Sequence, residues 1–127
     1  MPLNKEDLIK YKIERCNETI NEAEEAIESK HFHLAVNRIY YSIFYIISAL
    51  AIKDNFSTSK HNQQLGWFNK NYIKTNRVNK DLGKIYRNSF SKRLTGDYDD
   101  FIDFEEEKVR KDYEAMILLI KEIKKLL

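Results

Sequence analysis

The sequence predicts an all-α protein, an antiparallel up-and-down bundle of four to five helices that forms a single domain over residues 1–127. Only three glycines and one proline occur in the chain, so long helices meet few residues that break them. Apolar residues recur at intervals of three and four near both ends of the chain, which is the spacing of one helical face. A chain of 127 residues can bury a core without disulfides, and its single cysteine cannot form one internally.

The first and last predicted helices each carry one apolar stripe with charged residues on the other faces. Asn4 is the predicted cap of the first helix, over residues 5–29. Asp103 and Glu106 have the spacing of a capping box, which predicts a last helix over residues 104–127. Both helices should therefore pack as neighbours in the bundle. The stripes comprise Ile9, Ile13, Cys16, Ile20, Ala23 and Ile27, and Val109, Tyr113, Met116, Ile120, Ile123 and Leu127.

The second predicted helix, over residues 32–53, is apolar on every side. Such a helix is central in a bundle or is shared with a partner, so we expect a homodimer. Its apolar run over residues 39–52 contains two serines and three tyrosines and is short for a bilayer span, so a core helix is the better interpretation. The first residues lack the basic-then-apolar pattern of a signal peptide, and we expect a cytoplasmic protein with no membrane partner.

Two further helices are predicted in the middle of the chain. A serine- and threonine-rich loop precedes a third helix over residues 60–72, and Asn76 marks the break after it. The fourth helix is predicted over residues 79–93. Gly96 is expected to end it, because glycine favours the backbone conformation that follows a helix.

Charge is unevenly distributed although the net charge is only +2. Residues 53–93 contain ten Lys or Arg against two Asp, whereas residues 94–107 contain seven acids and no base. Aromatic residues are interleaved with the basic ones, a composition that suits RNA through phosphate contacts and stacking. The alternative is that the aromatics form core and the cations form a solvated face.

The candidate site residues centre on an arginine inside the apolar second helix. Arg38 needs a partner or an opening to solvent, so it either pairs with an acid such as Asp97 and orders the bundle, or binds phosphate. Arg93 lies four residues before Asp97. We expect the polar ends of Arg38, Tyr41, Arg93, Asp97 and Tyr98 to meet in one cleft.

No metal and no cofactor are expected. The acids after residue 96 do not have the spacing of a calcium loop. His31 and His33 are two residues apart and would face different ways on a helix, and His61 is isolated near a helix start. Cys16 belongs to the first apolar stripe and is expected in the core. No glycine-rich phosphate loop and no Ser-His-Asp order is present.

Several segments resemble the HEPN family of prokaryotic helical domains, in particular its small standalone branch of uncharacterised members. The matching positions are residues 34–41, His61, residues 68–75, residues 81–84 and residues 93–104. No single motif is specific, but their order and spacing cover nearly the whole chain.

The resemblance implies a helical bundle that is commonly dimeric and is often encoded beside a minimal nucleotidyltransferase, as toxin and antitoxin. Active members are metal-independent ribonucleases that use an arginine and, after four to six intervening residues, a histidine. Arginine holds the scissile phosphate and histidine moves the proton. This chain departs from that motif, because the three histidine positions after Arg93 hold Tyr98, Asp99 and Asp100.

The function expected from the resemblance is therefore a toxin-like module that binds RNA or a nucleotide and acts with a nucleotidyltransferase partner. Arg38, Tyr41 and His61 are its expected binding residues. A first alternative is a metal-independent ribonuclease with an atypical catalytic site of Arg93, Asp97 and Tyr98. A second is a purely structural dimeric interaction protein.

Overall fold

The computed structural model of the protein describes residues 4–99 and 102–127, and of Tyr98 it describes the backbone only. These residues form helices joined by short connections and contain no strand, which confirms the predicted all-α class. The helices are α1 (Lys5–Glu28), α2 (Phe32–Lys53), α3 (His61–Phe68), α4 (Lys80–Tyr98) and α5 (Glu106–Lys124), and a π-helical turn (Asn69–Ile73) extends α3.

The second helix is the centre of the bundle. It contacts α1, α3, α4 and α5, and twelve of its residues are buried. By length and composition α2 could cross a membrane, but 72% of its most apolar stretch is buried inside the bundle, as expected of a core helix. The bundle also covers most of the apolar surface from which a dimer was predicted. That prediction now depends on family resemblance and on four exposed apolar side chains, Tyr11, Leu34, Ile117 and Leu118.

The helix ends use asparagine and lysine where glycine is commoner. Asn4 caps α1 as predicted, because its side chain accepts a hydrogen bond from the backbone N–H of Asp7 at 2.8 Å. Lys30, Asn55 and Asn76 have φ values of 59°, 63° and 61°, the left-handed conformation that closes a helix. The break predicted at Asn76 is confirmed.

The prediction that Gly96 ends the fourth helix is wrong, because α4 continues to Tyr98. Gly96 lies inside the helix at a point of close packing. A Cβ atom there would lie 3.1 Å from Cε2 of Phe104 and 3.8 Å from Nδ1 of His33. Glycine is therefore explained by the close approach of the segment after α4, and the continued helix brings Arg93 and Asp97 onto one face.

The predicted capping box at Asp103 and Glu106 is also wrong. The last helix starts at Glu106, its cap position is Glu105, and no side chain caps it. Asp103 belongs to the extended segment before the helix, where the Phe104 ring packs edge-on against His33 at 5.0 Å. Glu106 instead forms ion pairs with Lys30 at 2.8 Å and Arg110 at 3.0 Å.

Candidate functional site

An aromatic cluster on α2 forms the floor of the candidate site. The Tyr40 ring is fully buried, whereas Tyr41 and Phe44 are partly exposed beside it. His61, the first residue of α3, stacks on Phe44 with ring centroids 4.3 Å apart and meets the Tyr41 ring edge-on at 5.5 Å. The loop between α2 and α3 thus places the imidazole on the same face of α2 as the two tyrosines.

A hydrogen bond to Tyr40 fixes the orientation of His61. The Tyr40 hydroxyl lies 2.7 Å from Nδ1 of His61. Burial raises the pKa of the Tyr40 phenol far above its ordinary value, so the phenol is neutral near pH 7. Among the described residues Nδ1 is the one hydrogen-bond partner of this hydroxyl, so we assign the phenol as the donor and Nδ1 as the acceptor. Burial and the nearby charge of Arg93 lower the pKa of His61, so the ring is neutral near pH 7. Its second nitrogen, Nε2, then carries the hydrogen and can donate to a ligand.

Arg93 reaches the same cluster from α4. Its guanidinium carbon lies 5.3 Å from the Tyr40 ring centroid and 5.5 Å from that of Tyr41. Its Nε donates to Asp97 at 3.0 Å, and only 16% of the side chain is exposed. Within the described residues this is the one hydrogen bond of the guanidinium, which leaves the two terminal amino groups for an anion.

Arg38 approaches the Tyr41 ring from α2, with its guanidinium carbon 5.2 Å from the centroid. Arg38 pairs with an acid, as one of the two predicted alternatives states, but the acid is not Asp97. Arg38 pairs with Glu22 of α1 at 3.2 Å, and its Nε and Nη2 donate to Asn37. Because α1 packs against α2, it supplies the carboxylate with which Arg38 pairs.

The predicted cluster is therefore formed in part. Arg38, Tyr41 and Arg93 meet at one ring, and Asp97 joins through Arg93. His61 belongs to the same cluster, as a ring neighbour of Tyr41. The side chain of Tyr98 lies outside the described part of the chain. The catalytic and binding roles expected for these residues stay predictions.

Sequence reasoning missed the supporting residues Glu22, Asn37 and Tyr40. The hydrogen bond of Tyr40 to a histidine on another helix has no local sequence signal. Glu22 is one of several acids on the outer face of α1. Only the packing of α1 on α2 selects it as the partner of Arg38.

A separate cavity of about 150 Å³ lies between α2, α4 and α5, and none of the site residues lines it. Its mouth carries an ion pair between Lys92 and Asp112 at 2.6 Å. The remaining lining is mostly apolar, and Lys92 is the one cation that lines it among the described residues. The chemistry described above is therefore at the tyrosine cluster and not in this cavity.

The fold and the site define a class of protein: a small all-α bundle whose central helix carries a pair of adjacent tyrosines, with two arginines and a neutral histidine packed against them. The family model described as "HEPN domain" matches residues 9–126, and the chain belongs to that family. The resemblance seen in the sequence is thereby confirmed.

Two relatives are similar over most of the chain. A "UPF0332 protein" of Thermotoga maritima is 44% identical over 106 residues, which are 84% of this chain and 80% of the relative. A protein of Methanocaldococcus jannaschii named "Putative toxin MJ0142" is 33% identical over 96 residues, which are 76% of this chain and 65% of the relative. These similarities point to a toxin-like or RNA-related function.

Proposed function

We propose that the protein is a toxin-like module that binds RNA phosphate at the tyrosine cluster, between Arg93 and His61. The observation that carries the proposal is the state of Arg93. Its guanidinium rests on two tyrosine rings, is mostly shielded from water, and pairs with one carboxylate through one edge. Its two amino groups have no hydrogen-bond partner among the described residues, and a planar guanidinium in such a place suits bidentate contact with a phosphate.

His61 adds a second donor to the same anion. Its Nε2 carries the hydrogen because Nδ1 accepts from Tyr40, and the neutral ring does not need a carboxylate partner. An N–H donor beside a guanidinium binds a phosphate oxygen without adding charge. Arg38 lies on the same Tyr41 ring and supplies further positive potential.

RNA cleavage is the second candidate, because His61 brings an imidazole to Arg93 although the family's local motif is absent. In such a reaction the ribose 2′-oxygen would attack phosphorus, the 5′-oxygen would leave, and a 2′,3′-cyclic phosphate would remain. The tautomer of His61 argues for binding instead, since a neutral N–H is a weak acid and Nδ1 is occupied. Asp97, the other expected catalytic group, is held in its ion pair with Arg93.

The direct test measures binding of a fluorescent single-stranded RNA by anisotropy. Arg93→Gln should lower the affinity roughly tenfold or more, the loss of one or two charge-assisted hydrogen bonds. Lys84→Gln is the matched control, because it removes one charge from the same helix. Lys84 is nine residues from Arg93, about 2.5 turns, and so lies on the opposite face of α4. Equal losses of RNA affinity in both variants would show that binding depends on non-specific charge and not on a site at Arg93.

Cleavage is tested in the same samples with a chelator present. Products ending in a 2′,3′-cyclic phosphate that disappear in both Arg93→Gln and His61→Gln would make the ribonuclease the better account. Absence of both binding and cleavage would favour the purely structural dimeric protein.

A homodimer and a minimal nucleotidyltransferase partner, both implied by the family resemblance, complete the proposal, together with the cytoplasmic location expected from the sequence. Expression of the chain alone should slow bacterial growth, and co-expression of a minimal nucleotidyltransferase should restore it. Cells that express the Arg93→Gln variant should grow normally without the partner. If the variant and the wild type are equally toxic, the toxicity does not depend on the phosphate site. Light scattering of the purified protein tests the dimer.

A further inference from the structure

A second pair of cations lies on the next tyrosine along α2. The guanidinium carbon of Arg15 is 5.2 Å from the Tyr45 ring centroid, and Nζ of Lys12 is 5.6 Å from it. Both cations come from α1, and both of them and the Tyr45 ring are partly exposed. The two cations on the Tyr45 ring, Lys12 and Arg15, are called the α1 cation pair below.

The α1 cation pair repeats the arrangement at Arg38 and Arg93. Arg38, Tyr41 and Tyr45 follow one another at intervals of three and four residues, so they lie on one face of α2. The centroids of the Tyr41 and Tyr45 rings are 6.2 Å apart. Two pairs of cations therefore contact neighbouring tyrosine rings on one face of α2, an arrangement that suits neighbouring phosphates of one nucleic-acid strand.

An open groove runs between Lys12, one member of the α1 cation pair, and His61. Lys12, Phe44 and His61 line it together with the hydroxyl-bearing loop before α3. Phe44 is the ring on which His61 stacks, and it also contacts Tyr45 at 5.9 Å. The surface between the two cation pairs is thus aromatic and accessible. Such a surface accommodates a base or sugar and has no requirement for sequence.

We propose that the α1 cation pair is a second phosphate subsite, and that the ligand is a single strand of RNA with at least two consecutive phosphates. The inference rests on the proposed function, because the first phosphate is the one held by Arg93. A second subsite implies that the ligand is an RNA strand and not a mononucleotide. It also gives a role to two charges on the polar side of the amphipathic helix α1.

The local charge balance permits this role. Arg15 is held by Glu18 at 2.7 Å, but that carboxylate is 61% exposed and is free to turn into water when a phosphate arrives. Lys12 has no ion pair among the described residues. The subsite therefore gains an uncompensated positive charge, whereas each arginine of the first site has a carboxylate partner.

The test compares a uridine tetranucleotide with uridine 3′-monophosphate as ligands of the full-length protein. Lys12→Gln and Arg15→Gln should each lower the affinity for the tetranucleotide roughly tenfold. Each should also reduce the slope of log affinity against log salt by about 0.7, the release of one contact to a single strand. Binding of the monophosphate, followed by NMR, should be unchanged. Lys84→Gln should change neither, and thermal unfolding should show that all variants stay folded.

The outcomes separate the two claims. If Arg93→Gln weakens tetranucleotide binding while Lys12→Gln and Arg15→Gln do not, the second subsite is wrong and the proposed function stands. If the two α1 variants lower the affinity for the monophosphate as much as that for the tetranucleotide, the cations contribute only non-specific electrostatic attraction, and the proposal of a second subsite is again wrong. If the wild-type protein binds neither ligand, the proposed function fails first.

Discussion

Substitution of Tyr40 by phenylalanine tests the hydrogen bond that orients the candidate site. The Tyr40 side chain is fully buried in α2, and its hydroxyl lies 2.7 Å from Nδ1 of His61. Tyr40→Phe removes one oxygen and keeps the ring, so the packing against the neighbouring aromatic rings is retained. The change therefore isolates the hydrogen bond from the rest of the core.

The expected cost follows from the burial of the two partners. A neutral hydrogen bond contributes about 1 kcal/mol, and an acceptor left without a partner adds to the loss where it is buried. His61 is only partly buried, so water can replace part of the lost bond. We expect Tyr40→Phe to lower the free energy of unfolding by about 1–2 kcal/mol, a decrease in Tm of about 3–8 °C for a chain of this size.

Two measurements check this reasoning. Thermal unfolding gives the loss of stability, with Tyr11→Phe as the control because the Tyr11 side chain is exposed. Two-bond ¹H–¹⁵N spectra of the imidazole should show the hydrogen on Nε2 of His61 in the wild type and a mixture of tautomers in Tyr40→Phe. A wild-type ring protonated on Nδ1, or a variant as stable as the wild type, would refute the orientation of His61 on which the site is built.

Three other predictions follow from the described contacts. Glu22→Gln removes the carboxylate that pairs with Arg38 and should raise RNA affinity about two- to fivefold in the anisotropy assay, so an unchanged or lower affinity would contradict it. Folding lowers the pKa of His61, so as the pH falls the unfolded chain protonates this residue before the folded chain does. The contribution of His61 to the free energy of unfolding is therefore complete above about pH 6.5 and decreases as the pH falls below that value. The decrease in Tm between pH 8 and pH 5 should be smaller for His61→Gln than for the wild type, and an equal decrease would contradict this prediction. Gln64 is buried and hydrogen-bonds Tyr86 at 3.3 Å, so Gln64→Leu should cost about 1–3 kcal/mol in denaturant unfolding, and less when combined with Tyr86→Phe; additive losses would contradict this coupling.

Much of the fold could be predicted because local periodicity determines where amphipathic helices form. The repeats in α1 and α5 and the all-apolar α2 are visible in the sequence and need no knowledge of neighbours. The end of α4 and the start of α5 were mispredicted for the opposite reason. Gly96 has the sequence appearance of a terminator, yet its role is to let Phe104 approach, and that contact exists only in the folded chain.

The candidate site was predictable in its residues and less so in its pairings. An arginine in an apolar helix requires a partner wherever it occurs, which identified Arg38 from sequence alone. Its actual partner, Glu22, depends on the rotation of α1 about its axis. Likewise His61 and Arg93 are far apart in sequence and meet only because α3 and α4 both pack beside the tyrosines of α2.

The most direct test of the central claim is a chemical-shift titration of the isotope-labelled protein with the uridine tetranucleotide. Binding at the tyrosine cluster should shift the Nε–H signal of Arg93, the imidazole signals of His61 and the ring signals of Tyr41 at the same ligand concentration. The backbone signals around Lys84, on the opposite face of α4, should stay in place. Shifts confined to the surface around Lys84, with Arg93 and His61 unmoved, would contradict the assignment of RNA binding to this site.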